Sequence, residues 1–367
     1  MSPTPRRPTI ASILVLILSC LVTASPSSLS PRGTKVEQRI AEKNSGWWAR
    51  TVMALGHEGV LHFSEPVHEE ITSMMFGCED GCNDLDIATE FAGDYAIAGV
   101  RWNDDPPFRM QPGGGQHTSC NTAETIRFTT QPRCWYELFQ NAKKQAERGE
   151  VPSASSHAPL LARSHFGDLQ FFHSMASHDG ELASETQRRV MMWAEFCWKV
   201  ATKQYKLDTK LKDVDIAGFD AYFGNSGWTV QDLFTAGNPA MRLRVTDVAF
   251  GSVLHMVEDS FAEGHVEREQ TSSGNCSPDI PLPTPPRILE FHSYAHQDEK
   301  KHKEQDARDA FERKLSSPMN VVAVGKPLVN FLDEGAKWEA VRPYFACVFT
   351  LIEPSTPASA GKQFASR

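Results

Sequence analysis

His255-Met-Val-Glu-Asp259-Ser-Phe-Ala-Glu-Gly-His265 decides how this chain is read. On a helix, side chains four residues apart lie on adjacent turns of one face, so His255 and Asp259 are aimed together. Val253, Leu254, Met256, Val257 and Phe261 make that helix largely apolar, and a carboxylate in such surroundings needs a strong partner. A histidine–carboxylate hydrogen bond is the plain alternative; a metal ion is the stronger partner. Gly264 can end the helix and turn His265 back toward the pair. Downstream, Phe291-His292-Ser293-Tyr294-Ala295-His296 sets two more histidines four apart on what reads as a helix. Together the two pairs point to a polynuclear zinc site in an all-helical protein, because zinc takes about four ligands from His nitrogen, carboxylate oxygen or water at roughly 2 Å.

Upstream segments offer further ligands. Gly99-Val-Arg-Trp102-Asn-Asp104-Asp105-Pro106 ends an apolar stretch in two carboxylates, where turn chemistry before proline is the competing explanation. Ser164-His165-Phe-Gly-Asp168-Leu-Gln-Phe-Phe-His173 carries two histidines. On one helix they would stand about 12 Å apart and could not share an ion, so one of them reads as structural. Near the start, His57 and His68 compete for one role. His68 is favoured because Ser64 and Pro66 suit a helix start there. The helix after His292 becomes strongly charged from Gln297 onward, which makes a solvated face the competing reading for His296 and the preferred one for His302.

Those segments sit in a chain of 367 residues with net charge -9. That charge disfavours a nucleic-acid binder relying on a broad basic surface, although a metal-lined cleft can still attract phosphate locally. Arg6-Arg7, an apolar run from Ile10 to Val22 and Val22-Thr-Ala24 fit a signal peptide over 1–24, the run being shorter than the roughly 18 residues of a membrane span. No later stretch approaches that length, so a secreted protein without a transmembrane anchor is expected. Residues 25–46 read as a propeptide or mobile arm, 47–352 as one multi-helical domain, and 353–367 as a flexible C-terminal tail. Helical periodicity is predicted over 66–76, 85–101, 134–148, 159–176, 184–205, 239–262, 286–315 and 336–351. Few segments alternate as strands. Of eight cysteines, Cys20 falls in the leader. An oxidising compartment favours disulfides among the rest; Cys78 with Cys82 and Cys120 with Cys134 are local candidates, and Cys197, in an apolar helix, is the expected free thiol. Asn275-Cys276-Ser277 is a glycosylation sequon in an expected loop.

The order His68, Trp102-x-Asp104, His165, His255-x3-Asp259-x5-His265 and His292-x3-His296 resembles the zinc-dependent phospholipase C and P1 nuclease superfamily over roughly residues 47 to 300. The resemblance implies an all-helical fold holding two or three zinc ions at the bottom of a cleft. It implies that Asp259 bridges two ions, that Asp104, His165 and His255 complete one of them, that His68 binds its neighbour, and that His265, His292 and His296 hold the third. It further implies phosphodiester hydrolysis, with Asp104 orienting or deprotonating the attacking water. Two departures stand out. The family carries a carboxylate where this chain has His296, for which Asp298 or Glu299 is a substitute. It also ligates zinc through the amino terminus of a mature tryptophan, which Trp47 or Trp48 would supply only after cleavage beyond residue 24.

Within the superfamily, the Trp102-Asn-Asp-Asp-Pro106 and His165-to-His173 blocks look closer to the phospholipase branch. The expected substrate is a phosphatidylcholine-like phospholipid at a membrane or micelle surface, with Phe108, Met110, Phe166, Phe171, Phe172 and Trp228 as candidates for an apolar cleft wall or as ordinary core. The alternatives are a P1-type zinc nuclease or nucleotidase, which would bind nucleic acid, and a secreted metal-binding protein with impaired catalysis.

Overall fold

The computed structural model describes residues 34, 66–110, 120–128, 130–238, 241–271, 275–277 and 280–366. The expected leader and arm, together with Trp47, Trp48 and His57, lie outside the described residues. Thirteen α-helices and four short strands make up the described chain, which is mostly helical.

In chain order these are α1 (Val67–Met75), α2 (Leu85–Ala92), α3 (Asp94–Val100), α4 (Pro132–Glu147), α5 (Leu160–Phe166), a 3-10 turn (Gln170–His173), α6 (Ala183–Ala201), α7 (Asp220–Phe223), α8 (Val230–Thr235) and α9 (Val245–Asp259). Four strands follow, β1 (Val266–Arg268), β2 (Asn275–Ser277), β3 (Ile280–Pro283) and β4 (Ile288–Phe291), then α10 (Glu299–Gln305), α11 (Arg308–Leu315), α12 (Val321–Asp333) and α13 (Trp338–Val348). The strands form two antiparallel pairs, β1 with β4 and β2 with β3.

Several expected helices are broken by chemistry visible at the break. The helix expected over 85–101 is interrupted at Gly93, where φ is 81°. The one expected over 159–176 stops at Gly167, whose missing Cβ lets the backbone pass Pro152: a methyl there would lie 2.0 Å from the Pro152 carbonyl oxygen. The largest correction concerns 286–315. Its first part contains β4, which pairs with β1 and is buried at Ile288 and Phe291, and only from Glu299 does the chain turn helical, behind the Asp298 side chain that caps α10. His292 and His296 therefore share no helix. The helix α12, capped by Asn320, falls where none was expected, and the sequon lies in β2 rather than a loop.

The core is organised around α9, whose residues from Val248 to Asp259 are all buried. It packs most extensively on α3 and α6. The α3 contact is backbone to backbone: a Cβ on Gly99 would sit 2.3 Å from the Val248 carbonyl oxygen, and one on Gly251 2.2 Å from that of Ala96. On the opposite side Trp193 of α6 donates its indole N–H to Ser252 Oγ at 3.1 Å, and its ring stacks near Trp102 and Phe172. Phe166, Phe171 and Phe172 are fully enclosed core rather than cleft wall, whereas Met110 and Trp228 with Phe108 line a separate cavity of about 620 Å³.

Disulfides join Cys78 to Cys82, Cys120 to Cys134 and Cys276 to Cys347. Cys197 is free and buried, and burial pushes its thiol pKa well up. No helix among the described residues is long and apolar enough to cross a membrane, and the disulfides fit an oxidising compartment. The segment from Glu353 onward is not a frayed tail. Bridges pair Pro357 with Leu182, Ser359 with His292 and Ala365 with Gln297, and Ala358, Ala360 and Phe364 are buried.

Candidate metal centre

Asp104 is held in place by its neighbours. Trp102 donates to the Phe234 carbonyl at 3.2 Å. Asn103 donates to the Phe172 carbonyl at 2.7 Å and accepts from Ser252 at 2.6 Å. Asp105 takes the Phe128 amide at 2.9 Å and faces the Arg127 guanidinium at 3.2 Å. Between these anchors the Asp104 carboxylate turns into a buried chamber lined by His68, Ser164, His165, His173, His265 and Asp259, among others.

Four groups of ligand-type atoms converge there, each within 4.8 Å: His68 with Asp104 and His255; Asp104 with His165 and His173; His173 with His255 and Asp259; and His265 with His302 and Asp306. In the third, His173 Nδ1 lies 2.8 Å and His255 Nε2 2.9 Å from Asp259 Oδ2, and the two nitrogens are 3.1 Å apart. Those separations approach the edge of a tetrahedron with bonds of about 2 Å, which is ~3.3 Å. In the fourth, Asp306 stands 3.6 Å from His265 Nε2 and 3.2 Å from His302 Nε2. The open volume among these side chains is about 20 Å³, room for little more than one water-sized occupant.

The histidines are oriented as metal ligands are. His68 Nδ1 is bound by Glu258 at 2.9 Å, His165 Nδ1 by the Leu161 carbonyl at 3.1 Å, His265 Nδ1 by the His173 carbonyl at 2.9 Å, and His302 Nδ1 by Gln297 Oε1 at 2.6 Å. Each bond fixes the ring and leaves Nε2 for the chamber, the arrangement that supports metal-bound imidazole. Glu258 is itself fixed by Thr72 at 2.6 Å. His173 is presented by a backbone reversal at Ser174, a non-glycine residue at φ 53°, whose hydroxyl is pinned to the Met256 carbonyl at 2.7 Å.

Electrostatics favour a cation. Asp259 is the last residue of α9 and Asp104 follows the end of α3, so both carboxylates stand at the negative ends of helix dipoles. Among the described residues, Asp104 Oδ2, His165 Nε2, His173 Nε2 and His255 Nδ1 are buried without a hydrogen-bond partner, which is costly unless something else satisfies them. Burial drives the His165 pKa down to about 3, helped by the neighbouring His173, and burial lowers that of His173. These rings are neutral with lone pairs to offer. For His265, burial is outweighed by Asp259 and Asp306, which raise it to about 9. Burial is likewise outweighed at Asp259, where His255 and His265 hold the carboxyl well below its usual range. These buried His/Asp clusters can bind metal ions.

His68, Asp104, His165, His255, Asp259 and His265 thus meet in one place, and three corrections accompany them. His173 joins His165 instead of standing two turns away, their ring centroids being 5.1 Å apart, because the helix breaks at Gly167. His296 is half exposed and bonded to Asp179 at 2.8 Å, away from the chamber. His292 is buried, but its Nδ1 meets the Gly264 carbonyl at 3.2 Å and it falls among Glu267 and Glu290 instead. The residues that do accompany His265 are His302, buried rather than solvated, and Asp306. The pattern His302-x3-Asp306 repeats the spacing of His255-x3-Asp259, a signal masked by the surrounding lysines. Tyr294, whose ring edge meets His302 at 4.6 Å between centroids, also lines the chamber.

Next to this chamber, sharing His68 and Asp306 as walls, lies a second cavity of about 300 Å³ among the described residues. Val67, Ile71, Phe261, Phe311 and Met319 give it apolar walls, and its charged lining is of both signs, with Glu263 and Glu269 beside Arg313 and Lys314. Comparison with protein-family models, with curated proteins and with solved structures finds no match to this chain.

Proposed function

We propose that this chain is a zinc-dependent phosphodiester hydrolase of the phospholipase C and P1 nuclease type, acting outside the cell on phosphatidylcholine-like phospholipids. The observation that carries the reading is the set of four histidines bound through Nδ1, with Nε2 left toward the Asp104, Asp259 and Asp306 carboxylates. Imidazole with carboxylate is the donor set of catalytic zinc. His68, Asp104, His165, His173, His255 and Asp259 would hold one pair of ions and His265, His302 and Asp306 a third, with Asp306 supplying the carboxylate that His296 does not.

Zinc there supplies Lewis-acid activation of water and of a phosphate oxygen. The protein's own groups do the rest. Asp104, with one buried oxygen unengaged by any hydrogen bond, accepts the proton of the attacking water. Tyr294, its phenol pKa pushed up by burial, stays protonated as a donor to a phosphate oxygen. The 300 Å³ cavity supports a lipid over a nucleotide, because its apolar walls suit acyl chains.

The test is metal content per chain together with phosphocholine release from phosphatidylcholine, before and after chelation. Two or three zinc ions and chelator-sensitive release support the proposal. Zinc with hydrolysis of single-stranded nucleic acid alone would move the assignment to the nuclease branch, and zinc with no turnover would move it to a binding role. Failure to bind zinc would overturn it.

A further inference from the structure

Among the described residues, one group of ligand-type side chains lies outside the chamber. In the β1–β4 pair Glu267 stands directly opposite Glu290, so their side chains share one face. His292, two residues beyond Glu290, continues on that face. A ring nitrogen of His292 and one oxygen from each carboxylate lie within 4.8 Å of one another.

Like charges placed opposite each other across a strand pair destabilise it, and among the described residues no basic side chain forms an ion pair with either glutamate. The histidine is the more telling member. It is only 2 % exposed, its Nδ1 is engaged by the Gly264 carbonyl at 3.2 Å, and its Nε2 is buried with no hydrogen-bond partner among the described residues. Such a nitrogen costs stability unless something satisfies it. Glu290 Oε1 is already held by the Ser359 hydroxyl, the kind of outer hydrogen bond that orients a ligating carboxylate.

We infer that Glu267, Glu290 and His292 form a separate site for a divalent cation of the zinc class, which ties β1 to the end of β4. Imidazole nitrogen selects such a cation over calcium or magnesium, which take oxygen ligands. The exposed Glu267 side leaves the remaining coordination positions to water, so the ion is exchangeable. Its role is structural. The C-terminal segment backs the site from outside the ligand set: Ser359 pairs with His292, accepts the Ser293 amide at 2.8 Å and donates its hydroxyl to Glu290.

The test compares the full-length wild type with the Glu267→Gln/Glu290→Gln double variant, each stripped by chelator and reloaded with zinc alone. His292 is left intact because its burial makes substitution a folding risk. The variant is expected to bind one zinc equivalent fewer per chain, and this difference does not depend on how many ions the Asp104–Asp259 centre holds. Melting supplies the second readout. Stripped, the variant should melt at or above wild type, since a like-charge pair has been removed; with zinc the order should reverse. An unchanged zinc count, or a melting order that zinc does not reverse, would overturn the site.

Discussion

His173 and His255 turn ring nitrogens 3.1 Å apart onto the same Asp259 oxygen, from a 3-10 turn and from a long helix 82 positions away. Two imidazoles and a carboxylate so close in a buried setting form either a strained hydrogen-bond cluster or the wall of a metal site. The predictions below separate the two.

The first concerns the residues behind the ligands. Glu258 and Gln297 reach the site through their hydrogen bonds to His68 and His302. Glu258→Gln and Gln297→Leu should each weaken zinc binding about 10–100-fold, measured by competition with a chromophoric chelator. Unaltered affinity in both would mean that the Nδ1 bonds do not serve the metal.

The second sets the two histidines of the C-terminal half against each other. His302→Ala should lose about one zinc equivalent, while His296→Ala, which removes only a half-exposed contact to Asp179, should keep all of them. Metal analysis of the two purified variants decides it, and the opposite ranking would restore the family's spacing argument for His296.

A third prediction follows from charge in the metal-free protein. His265, raised to about 9 against burial by Asp259 and Asp306, contributes stability that is complete below pH ~6.5 and lost as pH rises toward 9. His165, lowered to about 3 by burial and His173, works the other way: the unfolded ring takes up a proton below pH ~6.5 that the folded one refuses. The depressed Asp259 adds stability that disappears only in stronger acid. Stripped protein should therefore be most stable near neutrality and lose melting temperature on both sides. Saturating zinc should flatten the alkaline limb, because a ligated His265 needs no proton. A monotonic pH profile of the stripped protein would contradict these shifts.

A fourth prediction concerns the cross-links. Cys276–Cys347 spans 71 positions and Cys78–Cys82 only 4. Loop-closure entropy makes the long link worth about 4 kcal/mol and the short one about 2 kcal/mol. Denaturant melts of the Cys276→Ala/Cys347→Ala and Cys78→Ala/Cys82→Ala pairs should show that order, and equal losses would argue that strain or residual unfolded structure dominates.

The sequence announced the centre of this molecule and blurred its edges. His255 and Asp259 were readable because one long apolar helix carries them at the spacing of a single face. His68, Asp104 and His265 follow from ordinary punctuation: a proline-led helix start, a carboxylate pair before proline, a glycine after a helix. What misled was spacing without context. His292 and His296 are four apart, yet Ile288–Phe291 follows a proline-rich run and pairs with β1 as a strand. His302 and Asp306 have the same spacing on a true helix end, hidden among lysines that face outward while the histidine faces in. His165 and His173 were separated on paper by an ideal helix that Gly167 does not allow.

The glycine contact between α3 and α9 has a consequence for the centre. Gly99 rests on Val248 and Gly251 on Ala96 where the two helices cross, and beyond the crossing Asn103 bonds Ser252 and Asp104 faces His255 at 4.0 Å. The approach of the segment carrying Asp104 to the helix carrying Asp259 is therefore set in part by main chain resting on main chain. The crossing is a gauge: a methyl added at Gly99 or Gly251 would force the two segments apart and be read out as a change in the separation of the two carboxylates.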